Sequence, residues 1–480
     1  MNRYFNEKSN YDKYPVVNVP GMEEECRVGW RAISDRLEKD LSQIGKKVKV
    51  VVLECYQGVS DEEVVTALQS AFPASRWFFS ADAMKSPEQI DAILKQDITE
   101  DEIFGYMTRQ NMDCYFDGDK LPGIRSEIAA VTEGIVFVYG VGAAYVQPSY
   151  DLLVYADMAR WEIQMRFRRN EVSNVGISNR EERASLQYKR AFFVDWRICD
   201  RFKKKLMKKW DYVLDTNTAG NPKMATAKAI EAGLEKASRT PFRVVPFFDP
   251  GPWGGQWMKE VCDLDREVPN FAWCFDCVPE ENSLYLGFGD VRFELPSIDL
   301  VFAYPARLLG NPVYGRFGDE FPIRFDFLDT MEGGNLSLQV HPLTQYIQEK
   351  FGMHYTQDES YYMLDATEDA TVYLGVKENI HPDEMINALN EAQESGNFDA
   401  EKYVGHYAVK KHDHLLIPAG TIHCSGTNGM VLEISATPYI FTFKLWDWGR
   451  LGLDGRPRPI NIKHGKEVIQ WNRTESWVKK

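Results

Sequence analysis

Apolar positions follow one rhythm in the first half of the chain and another in the second. Residues 47–54 carry the β-branched run Val-Lys-Val-Val-Val-Leu, the pattern of a strand buried on both faces. Ser60-Asp61-Glu62-Glu63 ahead of Val64, Val65 and Leu68 predicts a capped helix directly after it. Further strands are predicted at 76–80, 135–139 and 152–156, alternating with helices at 30–44, 87–95 and 123–132. Such alternation builds an α/β domain, a mostly parallel sheet covered by helices. Turn formers cluster at Asn217-Thr218-Ala219-Gly220-Asn221-Pro222, and a linking helix is predicted after them at 224–238. Beyond it come short aromatic and β-branched runs punctuated by Gly and Pro, at 242–248, 283–288, 322–327, 336–340, 360–364, 371–376, 414–417, 430–434 and 439–443. That texture predicts an antiparallel sandwich or barrel, with one helical insertion at 382–395. The expected organisation is an N-terminal arm (1–29), an α/β domain (30–222), a linking helix (223–241) and an all-β domain (242–480).

Composition narrows the function classes. The 480 residues hold 44% hydrophobic and 13% aromatic side chains, enough for more than one core. Lys and Arg number 56 against 71 Asp and Glu, a net charge of −15, so no global field draws nucleic acid or anionic lipid to the surface. An anionic substrate then needs local cations. The first residues are polar and mixed in charge, unlike a secretory leader, and the longest nearly apolar run, 134–146, is shorter than the ~20 residues of a membrane span. Eight cysteines lie scattered, as in a reducing compartment, and the expected location is the cytoplasm. Cys274-Phe275-Asp276-Cys277 has no second CxxC downstream and reads as a buried strand or turn.

Residues 157–209 are helical in pattern and rich in cations, among them Arg160, Arg166, Arg168, Arg169, Arg190, Arg201 and Lys203 to Lys205. Two readings stand: a solvated helical surface, or a lid whose cations converge on a phosphate. The strings Asp151-Leu-Leu-Val-Tyr-Ala-Asp157-Met-Ala-Arg160-Trp161 and Ala191-Phe-Phe-Val-Asp195-Trp196 resemble the late strand and lid of P-loop nucleoside kinase-like domains. The segment Glu54-Cys55-Tyr56-Gln57-Gly58-Val59-Ser60, however, has neither the lysine nor the spacing of a GxxxxGK[ST] loop. The expectation is a kinase-like shell that does not transfer phosphate.

The chemistry-bearing residues lie in the second half. Gln339 and His341 are two apart on a predicted strand, so both side chains leave the same face. Glu359 precedes the run Ser360-Tyr-Tyr-Met-Leu, and His423 follows the turn Ile417-Pro418-Ala419-Gly420-Thr421-Ile422. One amide, two imidazoles and a carboxylate form a mixed N/O donor set suited to Zn²⁺ or another first-row divalent ion, one per chain. The other six histidines read as ordinary core or surface residues, and His412-Asp413-His414 as a tight turn entering a strand.

These residues belong to a larger pattern. Residues 250–462 resemble the type I mannose-6-phosphate isomerases, which are zinc-dependent cupins. The matching strings are Pro252-Trp253-Gly254-Gly255, Gly334-Asn335-Leu336-Ser337-Leu338-Gln339-Val340-His341-Pro342, Glu359-Ser360-Tyr361-Tyr362-Met363-Leu364-Asp365, the Ile417 to His423 turn, Val431-Leu432-Glu433-Ile434, and Lys444-Leu445-Trp446-Asp447-Trp448-Gly449-Arg450. The resemblance implies a jelly-roll fold and places the metal ligands on Gln339, His341, Glu359 and His423. It places an active-site carboxylate on Glu433 and the site-closing arginine on Arg450; the chemistry of a phosphorylated substrate adds the hypothesis that Lys444 lies near the phosphate. Glu433 either hydrogen-bonds a metal ligand or transfers the proton. The implied reaction interconverts mannose 6-phosphate and fructose 6-phosphate through an enediol. The alternatives are a cupin enzyme acting on another sugar phosphate, and a non-catalytic sugar sensor with a partner-binding N-terminal module. Two departures bear on the substrate: Gln357 stands where the family often has a lysine, and Leu343 follows His341-Pro342 where an aspartate is usual.

Overall fold

The computed structural model describes residues 4, 7–436, 441–451, 458 and 460–480. The chain divides into two units, one of residues 15–244 with 281–319, the other of residues 1–14, 245–280 and 320–480. No helix among the described residues is long and apolar enough to cross a membrane.

The first unit is built on a seven-stranded sheet. Its strands run Cys26–Val28, Lys223–Thr226, Tyr212–Asp215, Leu152–Asp157, Val48–Cys55, Gly134–Gly140 and Arg76–Phe79 across the sheet. The last five are parallel, and the first two pair antiparallel. Val48–Cys55 lies at the centre of the parallel set, which is why Val51, Val52 and Leu53 are wholly buried. Ser60 then caps the helix Asp61–Ala71 by accepting from the Glu63 N–H, and Ser86 with Gln89 forms a capping box on Pro87–Ile98. The predicted helix at 123–132 starts earlier, at Lys120, because Pro122 sits in the first turn, where a missing N–H costs nothing.

Three expectations about organisation are corrected. The linking helix is part of the domain: Lys223–Thr226 is a sheet strand, and only Ala227–Ala237 is helical. The arm is not separate, because Val16–Asn18 pairs in parallel with Ser283–Phe288. That strand, expected in the sandwich, forms a three-stranded sheet with Val16–Asn18 and Val291–Pro296 inside the α/β unit.

The basic stretch divides: Arg168, Arg169 and Lys205 are exposed, as a solvated face would be, whereas Arg160, Arg166, Arg190 and Lys203 turn inward. Arg160 pairs with Asp200, Arg190 with Asp91 at 2.6 Å, and Lys203 with Asp157 and Asp299 at 2.7 and 2.9 Å. Arg166 donates to the carbonyls of Gly58 and Thr216. A cation removed from water needs such partners, and these side chains are spent inside the unit. Gly58 is required twice over: its φ is +96°, and an added Cβ would lie 2.8 Å from Ile163.

The second unit contains two antiparallel sheets, as the punctuated texture predicts. One has six strands in the order His414–Ile417, Asp358–Ala366, Gly429–Ala436, Arg324–Asp329, Trp273–Cys277 and Phe247–Asp249. The other has five: Val404–Ala408, Thr371–Val376, His423–Ser425, Leu338–Val340 and Phe443–Trp446. The helix Pro382–Ser395 is the expected insertion. Cys274 and Cys277 lie on a strand without a disulfide. Gly255 permits close approach, since a Cβ there would meet Asp329 Oδ1 at 2.1 Å. The predicted strand at 439–443 is instead Phe443–Trp446, and residues 437–440 lie outside the described residues.

One buried acid gives the α/β unit a pH signature. Burial raises the Glu54 carboxyl to about 8, although the backbone N–H groups of Ala144 and Gly142 donate to it at 2.7 Å each. An unfolded glutamate titrates near about 4.3. The folded state therefore holds the proton more tightly, so stability is full below about pH 4 and declines until pH passes about 8. We expect intrinsic-rate-corrected amide-exchange protection in Val48–Cys55 to fall across that window and Glu54→Gln to flatten the fall; a flat wild-type profile would refute it.

Candidate metal centre

Leu338–Val340 carries Gln339, with His341 immediately after it. Gln339 is the register partner of His423, the first residue of its own strand, so strand pairing alone brings amide and imidazole together. Glu359 comes from Asp358–Ala366 in the other sheet, between Ile417 and Ser435 in register. The turn that delivers His423 is fastened from two sides. The Gly420 N–H donates to the His341 carbonyl at 2.9 Å, and Arg473 Nη1 donates to the carbonyls of Pro418 and Ala419 at 2.7 and 2.6 Å.

His341, Glu359 and His423 converge, fully buried, as a group able to hold a metal ion. Nε2 of His341 lies 3.0 Å from one Glu359 oxygen and Nε2 of His423 lies 2.7 Å from the other. The Gln339 carboxamide is 3.1 Å from His423 Nε2. Each imidazole Nδ1 faces a backbone carbonyl, Phe441 at 2.8 Å and Thr421 at 2.9 Å. An Nδ1–H bonded to a carbonyl leaves the lone pair on Nε2, the atom aimed at Glu359. Burial pushes the Glu359 carboxyl up, but in their protonated form the two imidazoles outweigh it and hold it well below the usual carboxylate range. His341 Nε2 and Glu359 Oε1 are buried without a well-formed hydrogen bond, despite their close approaches. Converging donors of this kind fit a divalent cation, and the Gln339 carboxamide stands beside them.

Of the remaining predicted residues, Glu433 adjoins this group through Gln357 and Lys444 sits on a strand paired with that of Gln339. Glu433 is buried in register with Asp326 and Tyr361, and its carboxyl is pushed well up by burial and by Asp326 and Glu359. Gln357 donates to Glu359 at 2.8 Å and lies 3.4 Å from Glu433, so a neutral amide bridges the two carboxyl groups. Lys444 is the register partner of Gln339 on the other side of the strand. Arg450 donates to Asp447 Oδ1 and to the Asn335 carbonyl, both at 2.6 Å. Asp326 went unrecognised in the sequence, although Arg324-Phe-Asp326-Phe alternates charge and aromatic at strand period. His412 lies in a turn and His414 opens a strand, as expected.

A family model described as a domain of unknown function (DUF8485) matches residues 29–239. The chain is 25% identical over 234 residues to mannose-6-phosphate isomerase ManA of Bacillus subtilis (strain 168), covering 47% of this chain and 66% of the relative. It is also 25% identical over 237 residues to mannose-6-phosphate isomerase of Streptococcus mutans, covering 47% and 68%. The chain thus spans less than two thirds of the first relative's length. A crystal structure of mannose 6-phosphate isomerase from Bacillus subtilis is similar at 21% identity and a TM-score of 0.41, over 48% of this chain and 69% of that one.

The donor set makes a direct prediction. Full-length protein dialysed against trace Zn²⁺ is expected to retain one ion per chain by elemental analysis, and His423→Ala to lose it. Equal retention by both proteins would place the metal elsewhere.

Proposed function

We propose that the β unit is a metal-dependent aldose–ketose isomerase that interconverts mannose 6-phosphate and fructose 6-phosphate. The observation that carries this reading is the buried convergence of His341, Glu359 and His423 beside Gln339. Partial similarity to relatives named mannose-6-phosphate isomerase supports it. The reaction moves a proton between C1 and C2 through an enediol, so negative charge develops on oxygen and one group must carry the proton.

A divalent ion held by Gln339, His341, Glu359 and His423 would supply Lewis-acid polarisation of the substrate oxygens. Gln357 fixes the orientation of Glu359 from behind. Glu433, buried next to the same amide, carries the proton between the two carbons. Arg450 is tethered at two points and holds negative charge on the reacting sugar phosphate, and Lys444 faces the same end of the site. The Gln357 amide favours a second reading, a different sugar phosphate, because the resemblance leads one to expect a cation there.

For the α/β unit we infer a kinase-like shell without phosphoryl transfer. The turn after Val48–Cys55 enters a helix capped by Ser60, whose first turn carries Asp61, Glu62 and Glu63, an arrangement that repels phosphate. Saturable ATP binding by the full chain would overturn this inference.

A coupled assay with mannose 6-phosphate should show turnover that chelator abolishes and added metal restores. Arg450→Ala should lower kcat/KM about a hundredfold while metal content stays at wild-type level. Absence of turnover with Zn²⁺, Mn²⁺, Co²⁺ and Fe²⁺ would reject the assignment.

A further inference from the structure

The strand order of the α/β unit reverses at Val48–Cys55. The chain first builds Arg76–Phe79 and Gly134–Gly140 on one side of that strand, then Leu152–Asp157 and Tyr212–Asp215 on the other. In an open parallel sheet such a reversal leaves a crevice beyond the carboxyl ends of the strands, the usual place for a ligand. Here it is a cavity of about 870 Å³, lined by residues 55–62, by Phe79 to Ala81 and by Tyr139 to Val141 at the strand ends. That volume lies within the roughly 300–1,000 Å³ of small-molecule sites.

A further wall is the loop of residues 171–178, with Arg180 beyond it. Buried amides hold this loop. Gln57 Nε2 donates to the Ser173 carbonyl at 2.9 Å, while Gln57 Oε1 accepts from Trp196 Nε1 at 2.8 Å. Asn174 Nδ2 donates to Asp195 Oδ2 at 2.8 Å, and Gln187 Nε2 to the Val172 carbonyl at 3.0 Å. Gln57, Asn174, Gln187 and Asp195 are all buried, and a buried polar network satisfied in this way fixes one arrangement. The cavity is therefore preformed.

Its lining selects the chemistry of a ligand. Asp61, Glu62 and Glu171 face an anion with like charge. Of the two lining cations, Lys85 is engaged with the carbonyls of Cys114 and Phe116. Arg180 is exposed and has no hydrogen bond or ion pair to a described residue, yet its charge opposes the rise that burial imposes on the Asp61 carboxyl. Asp61 Oδ1 accepts from the Tyr139 hydroxyl at 2.7 Å, which orients the carboxylate. A phosphate would meet the carboxylates and an ammonium would meet Arg180. A neutral hydroxyl can donate to Asp61 and accept from Arg180 at once. Phe79 and Tyr139 add apolar surface, but they meet edge to face at 74° with centroids 6.1 Å apart. Such a pair is no parallel slot for a flat base, whereas the C–H face of a sugar ring needs only one aromatic face.

We propose that this cavity binds a neutral, unphosphorylated sugar of one or two rings, with Asp61 and Arg180 holding its hydroxyl groups. The site lies wholly within the α/β unit and does not rest on the isomerase reading.

The test is a ligand-observed NMR titration of the full chain with D-mannose, D-glucose and cellobiose, on wild type, Asp61→Asn, Arg180→Gln and His423→Ala. At least one of these sugars should bind wild type and His423→Ala with equal affinity, and bind Asp61→Asn and Arg180→Gln at least fivefold more weakly. Because Arg180 is exposed, Arg180→Gln decides the matter if Asp61→Asn fails to fold. No binding of any of the three, affinity unchanged in Arg180→Gln, or binding abolished by His423→Ala alone overturns the site. Tighter Arg180-dependent binding of adenosine or of mannose 6-phosphate than of every neutral sugar overturns the ligand class.

Discussion

A carboxylate sealed between two imidazoles sets the terms for the whole β unit. Glu359 is fully buried, and an uncompensated charge in that position would be strongly destabilising. His341 and His423 compensate it through Nε2–H when protonated, and a cation held between the three groups does so when the rings are neutral. The backbone orients both rings through the carbonyls of Phe441 and Thr421. The Thr421 carbonyl stays in place because the adjoining Pro418–Gly420 turn is fastened to His341 and Arg473. The two sheets, the turn and the C-terminal arginine thus serve one electrostatic requirement.

The two units treat their cations in opposite ways. In the α/β unit nearly every arginine of the basic stretch for which a contact can be given has a carboxylate or carbonyl partner, and Lys203 sits between Asp157 and Asp299. Charges satisfied in this way hold elements together and have little left to offer a ligand. In the β unit Arg450 and Arg458 share one aspartate, and Lys444 has none among the described residues. The same residue types are therefore matched with partners in one unit and crowded around one counter-charge in the other. Counting Lys and Arg along the chain cannot separate the two cases.

Legibility followed the range of the interactions. Val48–Cys55 and the helix Asp61–Ala71 were readable because a β-branched run and a Ser60 cap are local signals. Ser283–Phe288 was readable as a strand, but its sheet was not. Its partner Val16–Asn18 is remote in sequence, and packing decides the pairing. Gln339 and His341 could be paired from strand period alone, whereas Glu359 and His423 needed the Pro-Gly turn and the family pattern. Asp326 and Arg458 escaped notice because neither belongs to a motif. Each reaches the site through pairing or a loop that only the folded chain reveals.

Gln357 shows how one neutral side chain redistributes the charge of the site. A lysine there would place an ammonium between Glu359 and Glu433 and favour both as anions. The amide supplies hydrogen bonds but no charge. Glu433, buried against Asp326 and Glu359, then retains its proton more readily. Positive charge is instead concentrated around Asp447, across the strand that bears Gln339. The site is thereby polarised, with proton-holding carboxyl groups on one side of the metal ligands and cations on the other. In this arrangement the cations stand away from Glu359, and the His341–Glu359–His423 group keeps its converging donors.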